Sequence, residues 1–256
     1  MDILIVGCGI VGSNAKKALE KAHKVDTIDK YKPDLTSYDS SKTYDFAYVC
    51  VDTPKTSDLA CDSSEVLNAV RDNKAKVFVI KSTVLPGTTS AMSALSSKRV
   101  VFSPEFYGGT QHCNNFEFGF TILGGKKEDC IAVQQMLQEV FDARHKFRIT
   151  DAKTAELAKY MENAYLATKV TFCNEFFRIA EKYGVVYEDL RELVTLDPRI
   201  DPAHTFVYRS HPWYDSHCLN KDVAAIAEDA GSSFLKSIVA QNEQYKIEGG
   251  SVDEES

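Results

Sequence analysis

Gly7-Cys8-Gly9-Ile10-Val11-Gly12 stands directly behind the apolar run Ile3-Leu4-Ile5-Val6, and this restricts the fold more than any other stretch of the 256 residues. Glycines at this spacing are needed where a strand turns sharply into a helix, where another group must approach the backbone closely, and where helix and strand pack tightly. The free N–H groups at the start of such a helix suit phosphate oxygens. Asp29 ends the next strand-like run, where a carboxylate accepts hydrogen bonds from ribose hydroxyls and repels a 2′-phosphate. The pattern therefore points to a dinucleotide, NAD rather than NADP, held by Gly7, Gly9, Ile10, Val11, Gly12 and Asp29. Lys30 and Lys32 keep a phosphate-bearing cofactor open, and a glycine turn without a ligand is the bland alternative.

Short β-branched runs at 2–6, 24–28, 45–51, 76–80, 99–103, 119–124 and 146–149 alternate with helical stretches such as 62–73 and 126–141. That alternation predicts an α/β fold, a doubly wound Rossmann-type parallel sheet over residues 1–150. From Asp151 the texture changes. Ala158, Met161, Tyr165, Thr168, Phe172, Phe176, Ile179 and Tyr183 recur at helical intervals, predicting one long helix closed by Gly184. A helix of about thirty residues spans roughly 45 Å, more than one small domain needs, so part of its surface is expected to pack on a second copy in a homodimer. Further helices are expected at 187–195 and 222–246, separated by an aromatic, His-rich loop at 197–217. An all-α domain over 151–247 and a disordered acidic tail at 248–256 complete the predicted organisation.

A formal net charge of -7 without a long basic cluster argues against nucleic acid or an anionic membrane as partner and favours a small molecule. The seven cysteines are odd in number and lack the paired spacing of a disulfide framework or zinc site, so they read as reduced thiols and no metal is expected. No leader-like segment or apolar run of membrane-spanning length is apparent, and a cytoplasmic protein is expected.

Several chemistry-bearing segments follow predicted strands and so fall on the sheet edge where ligands bind. They are Val51-Asp52-Thr53-Pro54, Lys81-Ser82-Thr83-Val84 with Gly87-Thr88, and Pro104-Glu105-Phe106. Taken singly, each is also ordinary turn chemistry or a solvated charge. Lys159 and Asn163 are four apart on the long helix, so an ammonium and an amide can converge on one oxygen. Cys218, in His217-Cys218-Leu219-Asn220-Lys221-Asp222, adds a thiol, although a lone cysteine is commonly just a small buried hydrophobe.

In this order, and with Ala155-Glu156-Leu157, Asn174-Glu175 and Asp197-Pro198-Arg199-Ile200 between them, the motifs resemble the UDP-glucose/GDP-mannose dehydrogenase family over nearly the whole chain. The resemblance implies two successive hydride transfers to NAD. Cys218 would form a thiohemiacetal and then a thioester, Glu105 would activate the hydrolytic water, and Thr83 would assist the first oxidation. Lys159, Asn163 and Asp222 would hold the substrate oxygen and a water. It further implies cofactor contacts from Val51, Thr53, Pro54, Ser82, Thr83 and Lys221, and substrate contacts from Glu105, Phe106, Lys159, Asn163 and Arg199. A thiolate beside a lysine and a helix start would be available near neutrality.

The chain departs from the family pattern in three places. Trp213-Tyr214-Asp215-Ser216 replaces a glycine-rich loop before the cysteine and is expected to narrow the sugar pocket. Gly109 stands where a second glutamate is common. A third, nucleotide-gripping domain is expected to be absent, since the chain ends soon after the last predicted helix. The leading expectation is an NAD-dependent UDP-glucose 6-dehydrogenase. A two-electron dehydrogenase of the β-hydroxyacid type and a catalytically silent binder of NAD or of a partner subunit are the alternatives.

Overall fold

A computed structural model describes residues 1–56, 61–106, 108–110, 113–115 and 119–250. The chain divides into two compact units, one made of Met1–Thr56, Cys61–Gly109 and Asn114–Lys159, the other chiefly of the chain from Tyr160 onward.

The first unit is built on a seven-stranded sheet of β1 (Asp2–Val6), β2 (Lys24–Ile28), β3 (Tyr44–Val49), β4 (Ala75–Ile80), β5 (Val100–Phe102), β8 (Phe120–Gly124) and β9 (Lys146–Thr150). Their order across the sheet is β2-β1-β3-β4-β5-β8-β9. The chain thus runs outward in one direction from β1 and in the other from β3, leaving a crevice at the carboxyl ends of these two strands, where such sheets bind ligands. Side chains alternate between two buried layers: Leu4, Val49, Phe78 and Phe102 face one, and Ile3, Tyr48, Val79 and Val101 the other. Burial on both faces explains why these runs are continuously apolar rather than alternating. Helices α1 (Ile10–Leu19), α2 (Ser64–Asp72), α3 (Thr88–Ser96) and α4 (Lys127–Gln138) connect the strands.

The expected parallel sheet is present and carries one antiparallel pair. Strand β8 pairs antiparallel with β5, through Phe102 and Gly124, and β9 then runs parallel to β8. Between them lie two short paired strands that periodicity did not reveal, β6 (Gly108–Thr110) and β7 (Cys113–Asn115). An excursion of this kind returns the chain to the sheet from the opposite end without a crossover helix, which makes the antiparallel pairing possible.

Helix α5 (Ala152–Tyr183) is the expected long helix, 32 residues, and Gly184 ends it with φ +68°. Its continuation in the second unit is followed by α6 (Tyr187–Val194), α7 (His217–Asp229) and α8 (Ser233–Gly250). The single last helix expected over 222–246 is two helices, because Gly231 adopts φ +61° and breaks the run between Asp229 and Ser233. Helix continues to Gly250, past the expected start of a disordered tail, and residues 251–256 lie outside the described part. Ala164, Ala167, Tyr214, Leu219 and Val223 form one core of this unit, and Cys173, Phe177, Ala180 and Tyr187 another. Among the described residues, no helix is long and apolar enough to cross a membrane.

Candidate functional site

The glycine turn has the geometry that its sequence demands. Gly7 sits at φ +93°, and a Cβ there would press on the Cys50 carbonyl, while one on Gly12 would collide with the carbonyl of Gly7. Gly9, the N-cap of α1, has nothing within 4 Å of the Cβ position, so the backbone is open to approach. The first turn of α1 carries no acidic residue that would compete with a bound anion. Asp29 Oδ2 accepts from the Cys8 amide at 2.6 Å and Oδ1 from Tyr31 at 2.8 Å, tying the second strand's end to the turn. Burial works against the Asp29 charge, but the amides of Cys8, Tyr31 and Lys32 and the Lys32 ammonium outweigh it and hold the carboxyl below its usual range. A carboxylate can take about four hydrogen bonds, so acceptor capacity remains for ribose hydroxyls. The turn, the open Gly9 backbone and this anion suit an NAD pyrophosphate and adenosine ribose. Of the two lysines that kept NADP open, Lys30 pairs with Glu65 at 3.3 Å and Lys32 donates its Nζ to the Cys8 carbonyl at 2.9 Å.

The other strand ends of this unit carry the remaining residues. Thr53 is buried behind β3, between partly buried Val51 and exposed Pro54. Ser82 donates its hydroxyl to the Val51 carbonyl at 2.6 Å, a cross-strand tether that leaves only its lone pairs for a ligand. The Thr83 carbonyl accepts from the Cys61 thiol at 3.5 Å. Glu105 is not an isolated surface charge: Lys81 Nζ lies 3.2 Å from its Oε2, and the Phe106 amide donates to Oε1 at 3.2 Å. Phe106 in turn offers its ring face to Lys159, whose buried ammonium lies 5.0 Å from the ring centroid.

Two residues here were legible in the motifs but had no assigned part. Lys81 is the partner of Glu105. Glu156, fully buried, accepts from the Gly87 amide at 2.5 Å and the Thr89 amide at 2.8 Å. These are donors that the start of α3 would otherwise leave unsatisfied. The glutamate thus fastens the Lys81–Thr88 segment to the start of α5, one turn before Lys159. Deeper in the unit, burial pushes the Cys50 thiol up to about 12, with Glu105 and Cys8 adding to the effect against Lys81.

The second unit holds its own cluster. Asn163 Nδ2 donates to Asp222 Oδ2 at 2.6 Å, and Lys221 Nζ lies 2.5 Å from Asp222 Oδ1. All three side chains are buried, Asp222 to 1% exposure. Cys218 is exposed and occupies the second position of α7, within the helix rather than in the loop before it. The first turn of a helix has amides without intrahelical acceptors and favours negative charge. Ser216 caps the turn by accepting from Leu219 at 3.1 Å. Arg199 is not gathered into this cluster: it is exposed, and its guanidinium forks onto Asp197 two residues away. In the bulky replacement loop, Tyr214 is buried in the unit's own core and Trp213 lies against Gly249 of α8.

Comparison with known proteins adds the family context. Residues 34–144 match the model of the UDP-glucose/GDP-mannose dehydrogenase family, NAD binding domain, and residues 153–244 match that family's central domain. A UDP-glucose 6-dehydrogenase of Rickettsia prowazekii is 30% identical over 218 residues, 78% of this chain and 50% of the relative. That of Rickettsia felis is 30% identical over 246 residues, 90% of this chain and 53% of the relative. The solved UDP-glucose dehydrogenase of Pyrobaculum islandicum superposes with a TM-score of 0.80 at 22% identity, covering 95% of this chain and 68% of that one. The chain spans about half the length of these curated relatives.

Proposed function

Because the chain belongs to the UDP-glucose/GDP-mannose dehydrogenase family, we propose that it oxidises the primary alcohol of a nucleotide-linked hexose to the acid, with UDP-glucose to UDP-glucuronate as the leading reaction. The observation that carries this reading is Cys218, an exposed thiol in the first turn of α7, in the same compact unit as the buried Asn163–Asp222–Lys221 cluster. Gly7, Gly9, Ile10, Val11, Gly12 and Asp29 would hold NAD, with Val51, Thr53, Pro54, Ser82, Thr83 and Lys221 as further cofactor contacts. Bound there, NAD supplies the hydride acceptor for each of two oxidations.

In this reading the chain's own groups do the remaining work. Thr83 assists removal of the alcohol proton in the first step. The Cys218 thiolate adds to the aldehyde carbon, giving a thiohemiacetal, and loss of hydride from that carbon leaves a thioester. Glu105 takes a proton from the water that cleaves the thioester, releasing the acid and restoring the thiol. Lys159, Asn163 and Asp222 hold the substrate oxygen and the water, the Lys159 ammonium and the Asn163 amide supplying the donors to the negative oxygen. Phe106 and Arg199 complete the substrate contacts. The sum consumes one water and two NAD per acid formed.

The reading extends to a cytoplasmic homodimer. Met161, Tyr165, Phe172, Phe176 and Tyr183, spaced along one stripe of α5, are exposed rather than buried, with Met161 at 74% and Tyr165 at 63%. An apolar stripe of this length is what a second copy of the helix would cover.

The test is to incubate the purified chain with NAD and a panel of UDP- and GDP-sugars, following NADH and acid together. Two NADH per acid, lost in Cys218→Ser, is the expected result. One NADH per substrate with undiminished turnover in that variant means a two-electron dehydrogenase. NAD binding without NADH from any sugar nucleotide means a silent binder.

A further inference from the structure

The segment just before Cys218 is held from one side by the last helix. Asn242 of α8, 2% exposed, makes two hydrogen bonds to a single residue: the Tyr214 amide donates to its Oδ1 at 2.9 Å, and its Nδ2 donates to the Tyr214 carbonyl at 3.0 Å. One turn on, Lys246 Nζ stands 3.6 Å from Asp215 Oδ1, and the same carboxylate oxygen accepts from Asn220 Nδ2 at 2.7 Å. Three residues further, Gly249 lies so close to the Trp213 indole that a Cβ would collide with the ring. Positions 242, 246 and 249 are four and three apart, hence on one face of α8. That face meets Tyr214, Asp215 and Trp213, three consecutive residues of the chain, and Ser216 then caps the helix that carries Cys218.

We propose that this face of α8 is a positioning platform for the nucleophile, with Asn242 as its key positioning residue. An asparagine amide satisfies both polar groups of one peptide-bonded residue much as a neighbouring β-strand would, so it sets the height and rotation of Tyr214 as well as holding it. Tyr214 is simultaneously locked by Ala164, Ala167, Leu219 and Val223. With the chain pinned at Tyr214 and capped at Ser216, the first turn of α7 has little freedom to fray, and the amides that favour a thiolate at Cys218 stay aligned. A flexible glycine loop could not do this alone. Here bulky residues plus a fixed amide replace conformational freedom with fixed placement. The role assigned to Asn242 rests on Cys218 being the nucleophile.

The experiment measures alkylation of Cys218 by iodoacetamide as a function of pH, read by mass spectrometry of its peptide, on the whole chain and on Asn242→Ala, Asn242→Asp and Gly249→Ala. This readout needs no sugar substrate, so it stands or falls separately from the oxidation chemistry. In Asn242→Ala the alkylation midpoint should move to higher pH, and the rate near neutrality should fall about fivefold, the size of one helix-terminus charge interaction. Asn242→Asp, which keeps the acceptor for the Tyr214 amide, should fall between the two. Gly249→Ala, which displaces Trp213 without touching the amide, should shift the midpoint the same way, and serves where Asn242→Ala does not fold. Cooperatively melting variants whose Cys218 profile coincides with that of the parent would overturn the proposal.

Discussion

Asn163 and Asp222, 59 residues apart in sequence, meet in a buried hydrogen bond of 2.6 Å, and the other oxygen of the same carboxylate is held by Lys221. Both carboxylate oxygens are therefore engaged in a place with almost no solvent. Removing the charge breaks the buried pair that Asp222 forms with Lys221, and breaking such a pair costs about 3–5 kcal/mol. Asp222→Ala is expected to lower the melting midpoint by roughly 6–20 °C, given about 2–4 °C per kcal/mol at this chain length. Asn163→Leu should be milder. A double-mutant cycle in thermal denaturation that returns zero coupling between the two would contradict the geometry.

The cysteines should differ sharply in reactivity. Burial pushes Cys50 up to about 12 and Cys130 up to about 11, and it also raises Cys8 and Cys173, so these thiols stay protonated at pH 8. Protonated buried thiols are poor nucleophiles. Cys218, exposed at the start of α7, should be the first of these to take up iodoacetamide in the native chain. Peptide mapping that finds Cys50 or Cys130 modified before Cys218 would refute this order.

Asp29 carries a pH signature. Its folded-state carboxyl is held below the ordinary value, so its stabilising contribution is complete above the unfolded value of about 3.9 and disappears as pH falls through the folded one. Asp29→Asn should therefore melt lower than the parent near neutrality, with the gap closing as the solution is taken below about pH 4. The same variant should bind NAD about tenfold more weakly and lose part of its preference against NADP. Calorimetry across pH and titration with both cofactors would check the two arms, and a gap that widens in acid would contradict the assignment.

Glu156 should matter as a fastener. Its carboxylate satisfies the Gly87 and Thr89 amides from a position with no solvent exposure. Hydrogen bonds to a charged group are worth about 1.5–3 kcal/mol each, so Glu156→Ala should destabilise by about 3 kcal/mol or more, and Glu156→Gln by less. Urea denaturation gives the values directly. A neutral effect for Glu156→Ala would mean that the Lys81–Thr88 segment is held by other contacts.

Much of the fold was readable because its physical causes are local. The seven sheet strands follow from β-branched runs buried on both faces, the glycine turn from positions where a Cβ has no room, and α5 from a sustained helical period ended by Gly184. The apolar stripe of α5 was also visible, but not its environment. Periodicity marks a face without saying what covers it, and Met161 and Tyr165 are exposed while Ala164 and Ala167 of the same helix fill the core.

By itself the sequence determined the element types, the order of the site-bearing segments and the family, since each depends on residue identity over short stretches. Only the tertiary structure decided partners. It turned β8 antiparallel to β5, broke the last helix at Gly231, gave Glu105 to Lys81 and Arg199 to Asp197, and joined Asn242 to Tyr214. The physical reason is that a hydrogen bond or ion pair between distant residues depends on where packing places the backbone. Local propensity carries no record of that placement.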